Sequence, residues 1–137
     1  MNDDELLSAF ENCSLDPKQF DHKNHLRLGW LYLQDFPSAL AIEKFTTGLR
    51  RYTHRVGAAA KYNETISWFY MLAIAERRIR QPSSSFDGFL ARNPDLLAQG
   101  APLLKQAYKP ETLGSELARE VFLLPDAHNS SRLQLRN

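Results

Sequence analysis

A chain of 137 residues, 43% hydrophobic and 24% charged, has the size and composition of one globular domain with a real core and is too apolar for global disorder. Its 17 basic and 16 acidic side chains leave a net charge of +1, which supplies no overall field for nucleic acid or an anionic membrane. Cys13 is the single cysteine, so an intramolecular disulfide and a multi-thiol metal site are both excluded.

The opening Met-Asn-Asp-Asp-Glu is acidic where a signal peptide carries positive charge, and no stretch approaches the roughly 18 uninterrupted apolar residues of a membrane span. The expectation is a cytoplasmic protein without membrane contact. Asn2 to Asp4 can cap a first helix bearing Leu6, Leu7 and Phe10 and ending near Cys13. Asp16-Pro17 reads as the start of a second helix over about 16–34, with a cap at Asp16 and a proline where the missing N–H costs nothing. After the break at Phe36-Pro37-Ser38, Leu40, Ile42, Phe45, Leu49 and Tyr52 mark a third helix that Gly57 stops.

The longest periodic segment, about 61–81, is crowded with Ile66, Trp68, Phe69, Met71, Leu72, Ile74 and Ile79 and reads as the central helix. Arg77, Arg78 and Arg80 suit the negative end of its dipole before the breaker run Pro82-Ser83-Ser84-Ser85. Proline-punctuated pieces at 86–92, 94–99, 102–108 and 110–123 read as short helices folded over the longer ones. From Pro125 the sequence turns polar, so 1–124 is expected to form one domain and 125–137 a loose or extended tail. The predicted class is all-α: a compact bundle of about three longer helices covered by several short C-terminal ones.

Candidate chemistry lies where polar residues fall on apolar stripes. Helical spacing puts His22 and His25 on one face with Leu26, Gly29 and Leu33; Gly29 would leave space beside His25, and the two imidazoles could share a metal or a substrate. The structural alternative is a pair of buried histidines satisfied by backbone or carboxylate. Glu64 falls in line with Trp68, Met71, Leu72, Ala75 and Ile79, and a carboxylate buried there needs a cation, a metal or a hydrogen-bond network. His22, His25 and Glu64 together would make the two-histidine, one-carboxylate set of open iron or zinc sites. Alternatively, Glu64 sits in a first turn, partly solvated or paired with an arginine. The basic cluster Arg50, Arg51, His54 and Arg55 reads as a solvated helix face, Cys13 as structural and His128 as exposed. No P-loop, dinucleotide fingerprint, H-E-x-x-H or G-x-S-x-G motif occurs.

Two segments, Phe20-Asp-His22-Lys-Asn-His25-Leu26 and Tyr62-Asn63-Glu64-Thr65-Ile66-Ser67, resemble the F-x-H-x-x-H-L and Y-H-E-T-[IV]-[ST] patterns of a family of small uncharacterised bacterial proteins. The likeness continues through 89–97, 115–119 and Pro125-Asp126. Asn63 stands where the family pattern has histidine. If the family site is metallic, this chain has lost a ligand; if it holds an organic molecule, Asn63 keeps a polar contact with altered specificity.

The first functional reading is a polar pocket binding a divalent metal (iron or zinc) or a small polar molecule. His22, His25 and Glu64 would be metal ligands, Glu64 and His25 catalytic acid–base groups, and Tyr62, Asn63 and Arg27 ligand-binding neighbours. The second is a non-catalytic interaction module with a buried His/Glu network. The two differ in whether these side chains converge on a solvent-reachable cavity or on one another. Self-association is left open.

Overall fold

Asn2 and Glu5 open the first helix by exchange. The Asn2 side chain accepts from the Glu5 amide at 2.8 Å, and the Glu5 carboxylate accepts from the Asn2 amide at 3.2 Å, a reciprocal cap that starts α1 (Asp3–Glu11). The computed structural model describes residues 1–127 and contains eight α-helices and three short 3₁₀ turns, with no strand among the described residues. The fold is all-α, as its apolar periodicities predict.

The second helix begins later than the Asp16-Pro17 signal suggests. Those residues start only the 3₁₀ turn Pro17–Gln19. Phe20 then leaves helical geometry, its ring packing against Phe10 and Tyr52, and Asp21 supplies a second cap by accepting from the Asn24 amide at 2.8 Å. From there run α2 (His22–Asp35) and α3 (Ser38–Arg55). Asn63 caps α4 (Glu64–Arg80).

The central helix is α2, not α4. α2 buries Leu26, Leu28, Gly29, Trp30, Leu31, Tyr32 and Leu33 and packs against α1, α3, α4 and α5 (Phe86–Arg92). Its stretch 28–33 is buried on every side, as suits a helix in the middle of a bundle. α4 instead leaves Leu72 at 42% and Ile79 at 67% exposure. Its buried stripe is Ser67, Tyr70, Met71 and Ile74, offset from the line through Glu64 on which the sequence places it. Gly29 creates no room beside His25, because a Cβ there would stand 2.7 Å from Met71 Sδ. The missing side chain lets α2 and α4 approach closely.

Beyond α5, the 3₁₀ turn Pro94–Leu96 is pinned by Arg77, which holds both Asp95 carboxylate oxygens at 2.6 and 2.9 Å. Arg77 beside Asp95 holds that carboxyl below its ordinary range. The cover is completed by α6 (Pro102–Ala107), α7 (Pro110–Leu113) and α8 (Glu116–Glu120). The predicted 110–123 helix is split because Gly114 ends α7 and Ser115 caps a new start by accepting from the Ala118 amide.

After α8 the chain runs back over α4 without helix. The buried Thr65 hydroxyl donates to the Val121 carbonyl at 2.8 Å and accepts from the Leu123 amide at 3.1 Å. Trp68 and Phe122 stack with centroids 5.7 Å apart. Pro125–Ala127 are tied rather than loose: Asp126 accepts from the Lys109 amide and the Thr112 hydroxyl, and the Ala107 carbonyl accepts from Asp126 and Ala127. The rest of the expected tail, including His128, lies outside the described residues. No helix among those residues is long and apolar enough to cross a membrane.

Candidate functional site

Two local structures set the site. The first turn of α2 carries His25, whose ring stacks on Phe20 at 5.4 Å between centroids and meets Phe45 edge-on at 5.1 Å. These contacts fix the imidazole. The first turn of α4 lies opposite, with Asn63 accepting from the Ile66 amide at 3.0 Å and donating to the Leu113 carbonyl at 3.1 Å.

Between them and the C-terminal half of α3 is a cavity of about 290 Å³, near the lower end of small-molecule sites. Its apolar walls are Phe20, Leu49, Tyr52, Val56 and Ile66. Its polar lining includes His25, Tyr62, Asn63 and Ser67, and the exposed Lys61 also lines it. The two segments with family-like motifs therefore meet here: Phe20 and His25 come from one, and Tyr62, Asn63, Ile66 and Ser67 from the other.

His25 is the anomalous group. It is only half-buried as a residue, yet its Nε2 is fully buried without a hydrogen-bond partner. Burial first, and then the nearby His22 charge, push its pKa down to about 4, so the ring is neutral at pH 7. Native proteins seldom leave such an atom unsatisfied.

The other expected site residues go elsewhere. His22 Nε2 donates to the Leu96 carbonyl at 2.9 Å and its ring sits edge-on to Tyr70 at 5.1 Å, joining α2 to the 94–96 turn. The two histidine rings are 6.5 Å apart and tilted by 53°. Glu64 occupies the first turn of α4, where the Tyr62 hydroxyl donates to it and Arg50 pairs with it at 3.1 Å. Burial, followed by the hydrogen bond to Glu64, raises the Tyr62 phenol well above its ordinary range. Arg27 lies on the opposite side of α2, bound to Asp3 at 2.6 Å and to the Met1 carbonyl. Among the described residues no three His, Cys, Asp or Glu side chains stand together as a metal ion requires. His22, His25 and Glu64 thus do not converge, because a carbonyl and an arginine–tyrosine pair have already taken two of them.

Lys61 lines the cavity but has no place among the sequence candidates, and Phe20 and Ser67 enter the sequence reading only as ends of the two motif segments. Ser67 lies at 3% exposure on the buried stripe of α4, which the line drawn through Glu64 misses. Lys61 carried no signal, since one lysine in a turn is indistinguishable from any surface charge.

Asn63 serves as a helix cap here. Asn63→His should cost about 1 kcal/mol in unfolding free energy, measured by urea denaturation, without creating zinc or iron uptake. Tight stoichiometric zinc in the variant would show that a metal site lies one substitution away.

The fold and site define an all-α domain with a lateral, mostly apolar cavity that His25 helps to line. No protein-family model, curated protein or solved structure matches the chain.

Proposed function

We propose that this protein binds a small organic molecule in the cavity between α2, α3 and α4, with the His25 imidazole on its wall making the orienting polar contact. One observation carries this reading: a mostly apolar, solvent-reachable cavity of about 290 Å³ with the His25 imidazole among its lining. Such a pocket takes most of its affinity from apolar contact and its selectivity from a few polar groups. Support also comes from the convergence of the two motif-bearing segments on this cavity.

The test is NMR screening of the labelled full chain with small organic compounds, repeated on His25→Phe and Val56→Trp. Compounds that shift His25 and Ile66 signals should lose about tenfold in affinity in His25→Phe. They should not bind Val56→Trp, where an indole fills the cavity. Elemental analysis of protein purified without chelator decides the metal alternative: stoichiometric zinc or iron that disappears in His25→Ala would overturn the organic-ligand reading.

A further inference from the structure

The charges lining the cavity are one-sided. Among the described residues, Lys61 is the only cationic side chain that lines it, and no aspartate or glutamate does. Of the carboxylates beside the lining, Glu64 is held by Arg50 and Tyr62, and Asp16 caps the 17–19 turn by accepting from the Lys18 amide. Lys61 itself has no ion-pair partner among the described residues.

The interior rejects positive charge. His25, beside Phe20 and Phe45 and 6.5 Å from the His22 ring, sits in surroundings that oppose its protonation. A ligand cation placed there would meet the same desolvation and find no carboxylate to offset it. An anion at the mouth meets an exposed, unpaired ammonium, and its charge stays near solvent. One lysine matches one negative charge; a dianion such as a phosphate monoester would leave half its charge unanswered. The volume of about 290 Å³ equals the space of roughly ten waters, which restricts the body to a short chain or a single ring.

We propose that the ligand is a small monocarboxylic acid. Its carboxylate pairs with Lys61 at the mouth, its hydrocarbon body lies against Phe20, Leu49, Val56 and Ile66, and the His25 imidazole is left to contact a polar group on that body. This assignment rests on the organic-ligand reading of the same cavity.

The experiment compares hexanoate, hexanamide and hexylamine, three probes of nearly equal length that differ in head-group charge, by NMR titration of the labelled full chain at low salt. Hexanoate should bind about fivefold tighter than hexanamide, and hexylamine should bind weakest. Lys61→Gln, a change at an exposed position, should bring hexanoate down to the level of hexanamide measured on the same variant. Equal binding of hexanoate and hexanamide, or an indifferent Lys61→Gln, would overturn the carboxylate assignment while the cavity reading stands. Absence of shifts at Phe20, His25 and Ile66 with all three probes would overturn the cavity reading and the acid with it.

Discussion

Phe10→Ala is expected to lower the unfolding free energy by about 3–5 kcal/mol, a large share of the roughly 5–15 kcal/mol that holds a domain of this size together. Phe10 is fully buried, and its ring lies within 5.8–6.4 Å of Phe20, Tyr32, Phe45 and Tyr52. Gly48 leaves the space it occupies, since a Cβ there would be 3.0 Å from the ring. Truncation therefore opens a cavity that rigid aromatic neighbours cannot close. Urea denaturation monitored by circular dichroism measures the loss. A cost below about 1 kcal/mol would mean that α1 is not docked as described. Phe20 and Tyr52 also wall the cavity between α2, α3 and α4, so the variant should bind cavity probes more weakly even at temperatures where it stays folded.

The second large effect is a pH dependence assigned to His25. Its folded-state pKa lies near 4 against 6.5 unperturbed. Between those values the unfolded chain binds a proton that the folded chain refuses. Stability therefore falls as pH drops through that window, by about 3 kcal/mol once pH 4 is reached. His25→Phe should remove this slope between pH 6.5 and 4. At pH 7 it should be neutral or slightly stabilising, because a stacked ring replaces one bearing an unsatisfied nitrogen. Asp95 and Asp126, whose carboxyls are held low by their partners, lose their contributions as they protonate below about pH 4, in wild type and variant alike. The difference between the two proteins therefore isolates the histidine. Parallel stability curves from pH 7 to 4 would show that the imidazole is solvated in solution and would remove the main support for the ligand site.

His25→Phe thus separates stability from binding. The residue that costs stability at low pH is the one proposed to read the ligand, an exchange common where a binding group is kept unsatisfied in the free protein. His22, three residues earlier, shows the contrast: its nitrogen is satisfied by Leu96, and its role is to fasten the C-terminal cover to α2.

Local physical chemistry made much of this molecule legible in its sequence. Caps such as Asn2, Asn63 and Ser85 accept their hydrogen bonds from residues three positions on, so the helix starts they mark are written within one turn of chain. The 3.6-residue apolar spacing was enough for the all-α class, and residues of the two motif-bearing segments meet at one cavity. Tertiary structure decided which helix is central, because that depends on which apolar faces other helices cover. It also decided what each polar residue does. His22 is satisfied by a carbonyl 74 residues away, and Thr65 by a backbone group 56 residues on, while Glu64 meets an arginine from the preceding long helix. Helical spacing places a side chain on a face but leaves unknown the partners that converge there, and those partners left His25, of the proposed His/His/Glu set, as the member that lines a cavity.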